Sequence, residues 1–205
     1  MYTPNHFRED NKTVIKNLVS NYSFATIMTT FNGRIEATHV PMFANKDLTV
    51  LTGHLAKANP LSRALAEQEV LVLFQGPHCY ISPSYYESAN THVPTWNYMA
   101  AHFYGRAKMI EDAAGLKTIL DKLIDKFEPK NSPWRQDYED RDVQGMLKAI
   151  VGFEITVTRF EWKSKINQNR TAIERESVIR HLQSLSDENS REIARAIINN
   201  EGKSS

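Results

Sequence analysis

Apolar residues recur along the chain with two different periods, and the changes between them mark out the elements. Val14, Ile15, Leu18, Val19 and Tyr22 return at helical spacing, so residues 10–22 are expected to form a short amphipathic helix, packed on a sheet, with Asp10 or Asn11 near its cap. Residues 24–30 and 34–43 then read as two strands about Asn32-Gly33, a pair preferred in two-residue hairpins because both central positions need positive φ. Asn45-Lys46-Asp47 predicts a second turn and residues 48–52 a third strand. From Gly53 the pattern breaks into an expected polar loop, and Pro60 suits the first turn of a helix running to about Gln68.

Val70-Leu71-Val72-Leu73-Phe74 is the next strand, and a β-compatible run follows Trp96 through Tyr98, Phe103 and Tyr104. Leu116, Ile119, Leu120, Leu123, Ile124 and Phe127 share one helical face, ended by Pro129. Residues 130–142 are polar around Trp134 and Tyr138, and residues 150–160 read as the last long strand. Val178, Leu182 and Leu185, then Ile193, Ile197 and Ile198, predict two short helices separated near Ser186-Asp187, a good N-cap site. The sum is a mainly β, α+β chain with flanking helices, expected to divide into a domain over residues 1–165 and a helical segment over 166–205.

Composition narrows the function classes. The 205 residues carry 25 basic and 24 acidic side chains, a formal net charge of +1, so no global field draws the protein to nucleic acid or a membrane. Cys79 is the one cysteine. It cannot form an internal disulfide, and with no CxxC motif it argues for a reducing, cytoplasmic location and against structural zinc. The polar N-terminus and the lack of a run near the roughly 18 apolar residues of a membrane span predict a soluble protein with no membrane partner. No GxSxG, HExxH or P-loop is present, and no residue stands out as a committed catalytic acid, base or nucleophile.

Candidate chemistry concentrates in residues 76–105, where aromatics, hydroxyls, amides and three histidines crowd between strands. Pro77, Pro83 and Pro94 each fix φ and remove a donor, so rigid bends are expected there instead of a continuous ladder. Packing alone would explain Tyr80, Tyr85, Tyr86 and Trp96 one at a time. A second candidate is the order strand, polar loop, helix around Thr52, Gly53, His54 and Lys57, which is expected to put them by a helix start where free amides favour an anion. The segment 163–180 sets five basic residues against Glu174 and Glu176, and a solvated helix face is its expected explanation. Among the histidines, His54 in the expected loop is the better ligand candidate, and His102 reads as a core histidine.

Several motifs in order carry a resemblance to one family. They are Met1-Tyr2-x-Pro4-x-His6-Phe7, Gly53-His54-Leu55-Ala56-Lys57-Ala58-Asn59-Pro60, Gly76-Pro77-His78-x-Tyr80-Ile81-Ser82-Pro83-Ser84, Val93-Pro94-Thr95-Trp96-Asn97-Tyr98, Ile150-Val151-Gly152-Phe153-Glu154, and Gln168-Asn169-Arg170 followed by Glu174-Arg175. With these the chain resembles the PaiB-like FMN-binding negative transcriptional regulators over almost its whole length. One departure is Tyr85, where Trp is expected.

The resemblance implies the FMN-binding split barrel shared with pyridoxamine phosphate oxidases and flavin reductases, an antiparallel barrel that dimerises with flavin at the subunit interface. It implies that Thr52 and Lys57 hold the FMN phosphate within the stretch that includes Gly53 and His54. It also implies that the backbone of Thr38, His39, Val40 and Pro41 runs along the flavin, and that Trp96, Asn97 and Tyr98 stack on or hydrogen-bond the ring. The expected function is a flavin-binding regulator acting on DNA or a protein partner. A flavin-dependent reductase or oxidase-like enzyme is the alternative, with haem binding through a loop histidine as a third.

Overall fold

The computed structural model describes residues 1–8 and 11–201. Asp10, one of the two expected caps, lies outside them. Asn11 does cap: its Oδ1 accepts from the Thr13 amide at 2.9 Å, ahead of α1 (Lys12–Asn21). The chain divides into two compact units, one of Lys16–Phe74 with His102–Phe160, the other of Met1–Ile15, Gln75–Ala101 and Glu161–Ser205.

The strands β1 (Phe24–Phe31), β2 (Arg34–Ala44), β3 (Val50–Ala56), β4 (Glu69–Ile81), β5 (Thr95–Ile110) and β6 (Ile150–Lys165) form a closed barrel in the order β1-β2-β3-β6-β5-β4. The pairings of β1 with β2 and β4, and of β3 with β2 and β6, are antiparallel. The β1–β2 hairpin turns where expected, with Asn32 at φ 50° and Gly33 at φ 73°. Alternation puts Ala25 and Ile27 of β1, Val70, Val72 and Phe74 of β4, and Phe153 and Ile155 of β6 inside. Phe74 and Phe103 meet edge to face at 5.7 Å, each contributing about 1.5–3 kcal/mol of burial. The helix α2 (Leu61–Glu67) packs on β1 and β2, and α3 (Ala113–Phe127), capped by Asp112, packs on β2 and β3.

Three strands outrun their expected limits. β3 was expected at 48–52, but Leu48 takes φ 60° in the turn and the strand runs from Val50 to Ala56. Pairing decides this: all seven β3 residues face β6, from Val50↔Thr156 to Ala56↔Ile150, and the ladder satisfies backbone groups that a loop would leave to water. β4 continues through Gly76 and Pro77 to Ile81, so the expected bends are confined to residues 82–94, which contain two 3-10 turns, Pro83–Tyr85 and Ala89–Thr91. β6 extends past Phe160 to Lys165. The helix α4 (Arg141–Lys148), capped by Asp140, was not expected between the polar segment 130–142 and the last strand.

In the other unit α5 (Ala172–Ser184) and α6 (Glu188–Glu201) pack on each other. Asp187 caps α6 where the sequence puts the break, its Oδ2 accepting from the Ser190 amide at 2.8 Å. Among the described residues no helix is long and apolar enough to cross a membrane.

Candidate flavin site

The expected phosphate stretch folds differently from a loop before a helix. Gly53 and His54 stand within β3, opposite Phe153 and Gly152 of β6. Gly53 faces inward: a Cβ built there would lie 2.9 Å from the Phe153 ring and 3.2 Å from the Pro41 carbonyl oxygen, so the residue is small for packing. Thr52 and His54 occupy the opposite face of the strand. Gly152, the partner of His54, lies against Ile119 and Leu116, so α3 covers that side. Burial lowers the His54 pKa and keeps the ring neutral, and its buried Nδ1 finds no partner among the described residues.

Lys57 alone lies beyond the strand. Its amide donates to the Ala149 carbonyl at 2.9 Å and its exposed side chain lines a cavity of about 490 Å³ together with Lys117, Tyr138, Leu147 and Lys148. The start of α2 is not an open anion site, because the Leu61 amide donates to Asn59 Oδ1 at 3.0 Å. That carboxamide has a second task. Its Nδ2 donates to Thr38 Oγ1 at 3.2 Å and ties the turn after β3 to β2.

This tie matters because β2 is split between two partners. It pairs with β1 from Arg34↔Phe31 to Pro41↔Phe24, and with β3 only from Met42↔Gly53 to Ala44↔Leu51. Thr38, His39, Val40 and Pro41 therefore have β1 on one side and leave β3 on the other, and the edge they open runs beside the Lys57 turn. The exposed His39 ring stacks on Phe24 of β1 at 6.0 Å.

The Trp96, Asn97 and Tyr98 group belongs to the other unit and lies in β5. Trp96 is 53% exposed, with the His78 ring centre at 6.0 Å and that of Tyr80 at 6.3 Å. Asn97 is fully buried, yet neither its Oδ1 nor its Nδ2 has a partner among the described residues. Such amides are costly unless a ligand or water completes them. Tyr98 carries the Lys163 ammonium 5.3 Å from its ring centre. Within its own unit, the unsatisfied Nδ1 of His54 fits a ligand rich in donors and acceptors, as a flavin is.

Sequence reasoning missed a polar cluster around the irregular segment. His92 stacks on Tyr86 at 4.0 Å, and its Nε2 lies 2.7 Å from Glu174 Oε1. Glu174 also closes a capping box with Thr171 at the start of α5. The Asn167 amide donates to Tyr86 Oη at 3.3 Å. The capping signature Thr171-x-x-Glu174 was in the sequence; its link to His92, 82 residues earlier, was not.

The barrel and the open β2 edge define a flavin-binding split-barrel protein, and the comparisons agree. Residues 1–159 match the family described as "Putative FMN-binding domain", and the chain is 40% identical over 199 residues to the protease synthase and sporulation protein PAI 2 of Bacillus subtilis, covering 95% of each. The chain belongs to this PaiB-like FMN-binding family, and FMN is its cofactor. Solved structures share the fold: the flavocytochrome Anf3 of Azotobacter vinelandii at TM-score 0.61 and 17% identity, over 89% of this chain and 73% of that one. The FAD and heme binding protein of Mycobacterium smegmatis matches at TM-score 0.59 and 20% identity, over 77% and 72%.

Proposed function

We propose that this chain is a flavin-responsive regulator: a cytoplasmic homodimer that holds FMN and whose grip on DNA or a protein partner changes with flavin occupancy or redox state. The observation that carries the flavin half is the open β2 edge at residues 38–41 beside the turn bearing Lys57. Backbone groups of Thr38, His39, Val40 and Pro41 freed from a ladder can address the polar rim of the flavin ring. Lys57 supplies charge for the phosphate, and the cavity it lines is of ligand size. Thr52, Gly53 and His54 lead to Lys57 along β3, and the neutral His54 is an acceptor or donor for a ligand.

Trp96, with its exposed ring, and Asn97, with its unsatisfied amide, are the groups the family resemblance assigns to the flavin ring. FMN, once bound, supplies hydride and electron chemistry of its own, and the protein's part is to hold and orient it. Dimerisation is supported by apolar side chains left in water on the hairpin, Phe24 at 68% and Ile35 at 81% exposure. The regulatory half rests on the family and on the name of the sporulation protein it resembles.

The test is selection of bound sequences from a random DNA pool with flavin-free, oxidised and reduced protein. Enrichment of one sequence that changes with flavin state is expected. A pool left unenriched in all three states, with no partner captured from a lysate by any of them, would remove the regulatory half. Light scattering is expected to give twice the chain mass.

A further inference from the structure

Only part of the basic segment at 163–180, Arg175 and Arg180 on α5, lies on the helix its sequence implies. Lys163 and Lys165 end β6, and Lys163 is only 9% exposed. Its ammonium donates to the Tyr2 carbonyl oxygen at 3.2 Å and lies 5.8 Å from the Tyr2 ring centre. The ammonium groups of Lys163 and Lys165 each lie 6.0 Å from the centre of the same Phe7 ring. Lys165 donates to Thr95 Oγ1, and the Arg170 guanidinium lies 5.5 Å from the Tyr86 ring centre.

Aromatic faces and neutral oxygens lower the cost of taking these cations out of water, but they cancel no charge. The pKa of Lys165 is lowered, first by burial and then by the positive charges of Lys163 and Arg170. Like charges drawn together under partial burial are costly on their own and become favourable once an anion joins them. We infer that Lys163, Lys165 and Arg170, with the Thr95 hydroxyl as a further donor, form a binding site for an oxyanion, either a phosphate monoester or a carboxylate. The inference stands apart from the flavin reading, since an oxyanion can bind here whether or not FMN occupies the β2 edge.

The experiment is thermal unfolding of the whole protein as inorganic phosphate replaces chloride at fixed ionic strength. The midpoint is expected to rise with phosphate. In K165M the phosphate affinity should weaken about tenfold or more, as loss of a charge-assisted contact implies. In chloride alone K165M should unfold no lower than the parent, because a like-charge repulsion is gone. K165R, which keeps the charge, should keep the response, and it tests the site should K165M not fold. K130M, at an exposed lysine outside this cluster, should respond like the parent. No response in the parent, a response undiminished in K165M, or one lost in K130M alone would each overturn the site. Repeating the titration on protein loaded with FMN and with riboflavin, which lacks the phosphate, separates the sources. A response abolished by FMN alone identifies the flavin's own phosphate as the ligand, and a response that survives both identifies a separate oxyanion.

Discussion

Cys79 lies buried on β4 with its thiol pushed up to about 11 by burial, and a hydrogen bond to Ser190 offsets only part of that. At neutral pH almost none of it is thiolate. A thiol-specific disulfide reagent should therefore leave native protein unmodified for hours and label it at once in denaturant; fast labelling of the native protein would contradict this. His54 is held neutral by the same cause. Its folded pKa lies below the unfolded value, so between the two the unfolded chain binds more protons and stability falls as the solution is acidified. Imidazole resonances followed by NMR should show His54 titrating below the ordinary 6.5. At this scale the sequence was legible for residue identity and mute on environment: His54 read as a loop ligand because nothing local announced the β6 ladder and the α3 side chains that enclose it.

Among the elements, α5 has an anchoring that depends on pH. Glu174 accepts from the Thr171 amide and hydroxyl, both at 2.9 Å, and the backbone bond is the largest cause of its lowered pKa, with His92 adding to it. A carboxylate with a depressed folded pKa stabilises above its unfolded value, and the contribution is lost as pH falls through the folded one. T171A should cost about 0.5–2 kcal/mol in chemical denaturation at neutral pH, and the difference from the parent should shrink in acid once Glu174 is protonated. A cost that stays constant into strong acid would count against the capping box. The hairpin at Asn32-Gly33, the cap at Asp187 and the helix over 113–127 were legible because short-range chemistry fixes each. The extensions of β3, β4 and β6 were not. Gly53, Pro77 and Lys163 argue locally against a strand, and pairing partners up to a hundred residues away in the chain overrule them.

For the whole molecule, the barrel followed from the strand order and the family motifs together, whereas the site depended on where β2 leaves β3. That separation is a matter of register, and a period-2 pattern does not encode it. Gly53 bears on both. G53A forces a methyl group against the Phe153 ring and the Pro41 carbonyl, which should cost about 1–3 kcal/mol of stability and weaken FMN binding with it. K57M should leave stability unchanged and weaken FMN more than riboflavin. Equal loss for both flavins would place Lys57 away from the phosphate.

The decisive measurement is a titration of flavin-free protein with FMN, followed by quenching of flavin fluorescence and by equilibrium dialysis. Saturation at one FMN per chain, with riboflavin bound more weakly, is the expected outcome. A protein that is folded by circular dichroism and still leaves FMN free at every ratio would contradict the flavin assignment outright.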